Sequence, residues 1–302
     1  MPLLQATAEL LSLETLERGV IEEVIKKDEL FAMLPFTNVN GKSYTYNREN
    51  TIANGAFLSV NENVPEQAST FTQVTTTLRI LAGDVDVDKF LIATMEDHND
   101  QVAIQLAQKA KGLGMQFKQA LVTGDSLAQP TCFDGMAKLV DPAQVIVAGT
   151  NGAALTLSML DQLKDQVIQG PDAFVMRRGT FRAYKSLLRA AGGTQPPMIM
   201  LENFSGTMTP THDGIPILVS DYIPGTDTQG TSNGNCCAIY AVRFNEVDGL
   251  HGITGGGQGG FQVESIGTVQ NRDAFRYRLK WYVSMVLKST LSMASLVGIT
   301  NV

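Results

Sequence analysis

A surplus of positive charge is missing from this chain. Its 302 residues carry 23 Lys and Arg against 30 Asp and Glu, a net charge of −7, which leaves no basic groove to grip a phosphate backbone. Charge of either sign is scarce, at 18% of residues, a composition that suits broad neutral contact surfaces. Cysteine is nearly absent. Cys132, Cys236 and Cys237 are too few for a disulfide framework, and the adjacent pair reads as buried thiols. No apolar run reaches the roughly 20 residues that span a bilayer, and Glu9, Glu14 and Glu17 interrupt any apolar signal core near the start. The expectation is a chain that folds in a reducing cytosol without a membrane partner. Catalytic signatures are missing too, since neither HExxH nor GxSxG occurs. The Gly255-Gly256-Gly257-Gln258-Gly259-Gly260 run has no following Lys-Ser/Thr and opens no helix, so it reads as a flexible connection rather than a phosphate cradle. Asp84, Asp86 and Asp88 resemble the start of a calcium loop, but Lys89 stands where that loop needs glycine and Met95 where it needs glutamate. They read instead as carboxylates on the wet face of a strand. No catalytic residue, cofactor site or metal site is expected.

What is present is a strong periodicity in the middle of the chain. Val102, Leu106, Ala110, Leu113, Phe117 and Leu121 recur at steps of three or four, so Met95–Thr123 is predicted to be one helix about 40 Å long. Glu96 and Asp97 suit its positive N-terminal end, and Gly124 is expected to close it as a left-handed cap. Gly112 and Gly114, each costing roughly 1 kcal/mol of helix propensity, leave room for another backbone to approach.

Around this helix the period changes repeatedly. Residues 3–34 read as an amphipathic arm with no core of its own, in which Leu10, Leu13 and Leu16 lie on the apolar stripe. From Val39 to Ala82 the period is two, with Ser43–Asn47 and Val74–Ile80 as the strands of a long hairpin and Asn50–Ser69 as its extended tip. The alternation slips at Gly83, which predicts a bulge there. Asn151–Gly260 reads as a compact α/β domain, with helices over Thr156–Gln169 and Thr180–Ala191 and short strands at Ala173–Met176, Met198–Leu201 and Ile215–Ser220. Thr156 is the expected cap of the first helix, and glycine-containing loops are expected at Gly225–Asn235 and Gly252–Gly260. Phe261–Thr300 is read as one long strand, its buried face carrying Phe275, Tyr277, Leu279, Trp281, Val283, Met285 and Leu287. Arg276, Arg278, Lys280 and Lys288 take the other face.

Arm, long hairpin, long helix, α/β domain and returning strand, in that order, resemble the major capsid protein of tailed bacteriophages. Local segments carry the same resemblance over nearly the whole chain. Phe117–Asp125 followed by Pro130 and Gly135 looks like that family's spine-helix exit. Leu155–Asp161, Asp172–Met176 and Thr180–Leu188 are similar to its axial domain. Asp213-Gly214-Ile215-Pro216-Ile217 with Asp221-Tyr222-Ile223-Pro224, and later Asp273-Ala274-Phe275, also fit. The resemblance implies an α+β capsid fold. Its parts would be an N-terminal arm (1–35), an extended β-hairpin or E-loop (36–82), a spine-helix peripheral domain (83–150 with 261–302) and an α/β axial domain (151–260). It further implies a structural, non-enzymatic subunit of an icosahedral virion, assembled in the host cytoplasm as pentamers and hexamers around double-stranded DNA that it does not read by sequence. Leu10, Leu13, Leu16, Tyr44, Phe57, Leu58 and Phe71 are the expected contacts between subunits. Because the arm begins right after Met1, a separate scaffold protein is expected, besides a portal and a decoration protein. Some members of the family join a hairpin lysine to a neighbour's asparagine. Between Lys42 and Lys89 this chain has no lysine, so its shell is expected to hold without covalent cross-links.

Two other readings compete. One is the shell of a bacterial nanocompartment, which shares the fold and encloses a protein cargo. The other, from a different class, is a soluble α/β enzyme acting through residues 151–260.

Overall fold

The computed structural model describes residues 29–94, 101–192, 198–200, 208–232, 234–256 and 260–300. Leu10, Leu13 and Leu16 of the arm lie outside these residues, as do Glu96 and Asp97 at the predicted helix start. In chain order a short helix α1 (Leu30–Met33) precedes strands β1 (Phe36–Val39), β2 (Ser43–Thr51), β3 (Thr70–Thr77) and β4 (Arg79–Asp88). Helices α2 (Lys89–Thr94), α3 (Gln101–Thr123) and α4 (Met136–Leu139) follow, then strand β5 (Val145–Val147). Helix α5 (Leu157–Gln166), strand β6 (Ala173–Met176) and helix α6 (Arg178–Ala190) lead to β7 (Met198–Met200), β8 (Met208–His212) and β9 (Ile215–Val219). The chain ends with β10 (Cys237–Val242), β11 (Leu250–Gly255), β12 (Gln262–Thr268), β13 (Ala274–Leu287) and β14 (Met293–Ile299).

The stretch read as one strand over 261–300 is three. Strand β13 is the axis of a five-stranded sheet: β4 pairs along one edge, while β12 and then β11 pair along the other, and β1 joins β11 in parallel. Its odd-numbered side chains do face inward, with Leu279, Trp281, Val283, Met285 and Leu287 buried. Lys288–Ser292 then breaks the extended run with a 3-10 turn (Thr290–Ser292), whose entry is capped when the Ser289 hydroxyl accepts from the Leu291 amide. Beyond this turn β14 enters a second, seven-stranded sheet ordered β5-β14-β10-β6-β9-β8-β7. The glycine-containing stretch expected as a loop from Gly252 instead begins as β11, buried throughout.

Helix α3 lies on β4 and β13 through the predicted stripe. Val102, Leu106, Ala110 and Leu113 pack on Val85, Val87 and Leu279, while Phe117 and Leu121 continue into the larger core beneath the seven-stranded sheet. Leu81 and Phe261 touch both clusters, so the interior is continuous. No bulge occurs at Gly83, because β4 pairs with β13 without a break from Arg79 to Asp88. The change of face falls at Leu78, between β3 and β4, and it leaves Ile80 exposed. At Gly83 a Cβ would meet the end of the Lys109 side chain at 2.3 Å, a flexible neighbour that lies across this part of β4. Gly124 is not a left-handed cap either, since its φ is not positive. A Cβ at Gly124 would lie 2.4 Å from the Phe133 carbonyl, which crosses the helix end there. Over Gly112 and Gly114 no described residue outside the helix comes within 4 Å of where a Cβ would stand.

Helix α5 begins as expected, the Thr156 hydroxyl accepting from the Met159 amide. The end of the arm is not free of the body. Leu30 and Leu34 are buried in the main core, and the Glu29 carboxylate accepts from the Val219 amide at 3.2 Å.

Candidate functional site: the projecting hairpin and its root

Strands β2 and β3 pair with each other and with no other described strand. Alternation divides β2 cleanly. Tyr44, Tyr46 and Arg48 are half-buried, while Ser43, Thr45, Asn47 and Glu49 face solvent. Threonine pairs tie the ribbon across its exposed face, Thr45 with Thr75 at 3.1 Å and Thr51 with Thr70 at 2.6 Å. Beyond Thr51 the tip has no ladder. Single bonds shape it: Ala53 N–H to the Ser69 hydroxyl at 3.0 Å, Asn54 N–H to the Gln67 amide oxygen at 3.0 Å, and Ser59 N–H to the Glu62 carboxylate at 2.7 Å.

The outer part of the hairpin is rich in apolar side chains that no described residue of the subunit covers. Phe57 is fully exposed, and Ile52, Leu58, Val60, Val64 and Phe71 are exposed as well. A single exposed leucine needs no explanation, but six large apolar residues on one unsupported arm mark a contact surface. Of the residues expected from sequence, Phe57, Leu58 and Phe71 therefore stand on the free part of the hairpin. Tyr44 does not. It sits at the root against its own chain, its ring 6.1 Å from the His251 imidazole and 5.6 Å from the Lys288 ammonium. His251 is fully buried, and that burial pushes its imidazole below the usual histidine range. Sequence reasoning missed Tyr46 and Arg48, which fasten this root. Their signal was legible as the period-two run Tyr44-x-Tyr46-x-Arg48, but their acceptors are backbone carbonyls, which have no signature in a sequence.

On the polar face of the five-stranded sheet the charges pair across strands. Arg276 bonds both oxygens of Asp86 at 2.6 and 2.7 Å, Arg278 both oxygens of Asp84 at 2.7 and 2.8 Å, and Lys280 bonds Glu264 at 2.7 Å. The arginine hydrogen bonds hold both aspartates below the usual carboxylate range. Asp84 and Asp86 thus serve a neutral ladder of ion pairs, while Asp88 accepts from the Phe90 amide at 2.8 Å; among the described residues no group of three metal-ligating side chains comes together. A second polar cluster joins helices α5 and α6 to β8. His212 lies 3.0 Å from Asp161 and 3.3 Å from the Tyr184 hydroxyl, which donates to the Thr211 carbonyl, and Lys164 pairs with Asp213. Its members bind one another, a packing role. Cys236 and Cys237 are buried free thiols, and burial pushes the Cys237 thiol up, away from the thiolate form that reacts.

Residues 9–244 match the sequence model of the phage capsid family. The chain belongs to that family. Solved structures agree with its fold. This phage capsid family chain superposes on a chain of the holo-SrpI encapsulin complex from Synechococcus elongatus PCC 7942 with a TM-score of 0.75 at 20% identity, covering 100% of this chain and 97% of the other. It matches the capsid of an empty GTA particle with a TM-score of 0.69 at 15% identity, covering 98% of each chain. A Mycobacterium phage Bobi chain gives 0.65 at 14% identity, covering 97% of each. At such identities the likeness is one of fold, the α+β capsid fold. No curated protein matches the sequence.

Proposed function

We propose that this chain is the structural subunit of an icosahedral bacteriophage capsid. It assembles in the host cytoplasm into pentamers and hexamers around double-stranded DNA, with no covalent link between subunits. The observation that carries this reading is the hairpin, whose apolar tip finds no cover among the described residues of its own chain and needs a neighbouring copy to bury it. Membership of the phage capsid family supports it. So does the net charge of −7, which keeps a shell wall from holding its packaged DNA tightly. Apart from the two-stranded hairpin, the described strands divide between two sheets. In this reading the five-stranded sheet with α3 forms the shell wall, and the seven-stranded sheet with α5 and α6 gathers about the five- and sixfold axes. Leu10, Leu13, Leu16, Phe57, Leu58 and Phe71 meet neighbours, and a scaffold, a portal and a decoration protein complete the particle.

A nanocompartment shell is the second reading, favoured by the TM-score of 0.75 to the encapsulin chain. Electron microscopy of the purified recombinant protein, alone and with the scaffold co-expressed, tests both. Hollow closed particles are expected. A small soluble oligomer under both conditions would overturn the shell reading. Particles from the native source that protect DNA from nuclease support the capsid, and particles filled with a second protein support the nanocompartment.

A further inference from the structure

A two-stranded ribbon attached at its ends has nothing in its own ladder to fix the direction in which it leaves the body. Here one end of the ribbon begins beside Gly41, whose φ of +126° is a conformation that side chains rarely allow. Among the described residues, three hydrogen bonds run from hairpin side chains to the body, all to the end of β13. The Tyr46 hydroxyl donates to the Leu287 carbonyl at 2.8 Å, Arg48 Nε to the Lys288 carbonyl at 2.8 Å, and Arg48 Nη2 to the Leu287 carbonyl at 2.9 Å. Arg48 Nη2 also reaches the Tyr46 hydroxyl at 3.3 Å.

Those carbonyls mark the place where the chain leaves the five-stranded sheet for the seven-stranded one. The crossing segment 288–292 is zipped to the other crossing segment, 243–249. Lys288 N–H donates to the Gly249 carbonyl at 3.3 Å and Ser289 N–H to the Asp248 carbonyl at 3.1 Å. The Ser292 hydroxyl donates to Asp248 at 2.8 Å, and Arg243 N–H returns to the Ser292 carbonyl at 3.0 Å. The hairpin is therefore tied to the seam between the two sheets rather than to either sheet alone.

We propose that Arg48, seconded by Tyr46, is a positioning residue: it sets the direction in which the hairpin projects and couples that direction to the seam between the sheets. The proposal rests on the reading that the hairpin meets a neighbouring copy. The chemistry requires arginine, because its rigid fork presents two donors to two successive carbonyls. A lysine ammonium is a point charge on a flexible stem and does not reproduce that bidentate hold.

The test uses the full chain with Cys132→Ser and spin labels on Glu62→Cys at the tip and Gln270→Cys on the body. Labelled chain is mixed with a large excess of unlabelled chain, so that measured distances stay within one subunit. A single tip-to-body distance is expected in the parent. Arg48→Ala and Arg48→Lys should both lose that single peak to a broad spread, and Tyr46→Phe should broaden it less, while all three melt within a few degrees of the parent. Retention of the parent's single peak in Arg48→Lys and Tyr46→Phe would overturn the proposal, even if Arg48→Ala failed to fold. The distance measurement stands apart from particle formation, so broadening in a chain that never closes a shell would uphold the latch and sink the shell reading.

Discussion

Trp281 is where the interior of this chain converges. Its ring lies 4.6 Å from Phe117, 5.0 Å from Phe261 and 5.7 Å from Phe36, so one side chain joins the long helix, the loop before β12 and the strand that follows the arm. Arg278, three residues earlier, stands on the opposite face with its guanidinium on Asp84. Trp281→Asp puts an unpaired carboxylate at a 4% exposed site, a cost of several kcal/mol against a total stability of about 5–15 kcal/mol. Arg278→Asp sets two carboxylates opposite each other in a partly wet ladder, a cost of about 1 kcal/mol. Thermal melting followed by circular dichroism should show no cooperative transition for the first and a drop of only a few degrees for the second. Equal melting temperatures would mean that the two faces are misassigned. Strict alternation was enough to place both residues. It could not supply the partner of Arg278, which lies 194 positions away, nor the carbonyls that Arg48 binds.

The elements were legible in proportion to how far their periodicity is local. The stripe from Val102 to Leu121 is a helix packed on its apolar side, and the alternation of β2 and β3 is a hairpin. The last strand reads too long because apolar residues continue on both sides of Lys288-Ser289-Thr290, alternating in β13 and nearly all buried in β14, so this short polar interruption does not by itself signal the turn. Gly124 reads as a left-handed cap, whereas crowding by the Phe133 and Ala120 carbonyls requires it. The arm was drawn too long as well. Leu30 and Leu34 fill the core, and losing either costs about 2–5 kcal/mol on the scale of large core truncations. Deletion of residues 1–28 should therefore leave a subunit that melts within a few degrees of the intact chain, while deletion of 1–34 should lower the melting temperature sharply. Neither should build closed shells. Equal melting of the two truncations would show that Leu30 and Leu34 contribute little, and normal particles from either would refute the arm's role in assembly.

At the scale of the whole molecule, the proposed shell is expected to hold by burial rather than by bonds between chains. No lysine occurs between Lys42 and Lys89, so the exposed tip has no amine nucleophile, and Lys42 lies at the root, a strand length of about 30 Å from the tip. Arg48 and Arg79 do not replace it, because a guanidinium stays protonated. Particles boiled in detergent and reductant are thus expected to run as one band near 32.6 kDa. A ladder of higher bands that survives this treatment would show a covalent link of another kind. Order along the chain carried much of the whole-molecule reading, since among the described residues a hairpin, a long helix and an α/β segment follow one another. Sheet membership was not legible in the same way. It depends on pairings such as β1 with β11 and β5 with β14, which join segments that share no local pattern.

The central place of β13 has a consequence for synthesis. Both β4 and the parallel partner of β1 depend on strands made late, and Arg276 meets Asp86 across 190 residues. Closing loops of that length delays folding, and long-range strand pairing is slow. The five-stranded sheet therefore cannot close until β13 has left the ribosome, because β13 is the last of its five strands in chain order. Until then, β4 is an unpaired edge and the underside of α3 lacks Leu279 and Trp281. The apolar hairpin, by contrast, is complete before β4 begins, so a nascent subunit displays it well before it has a body to aim it. Emergence of β13 is then the event that allows the hairpin to be aimed, and crowded polysomes are the place where aggregation would begin.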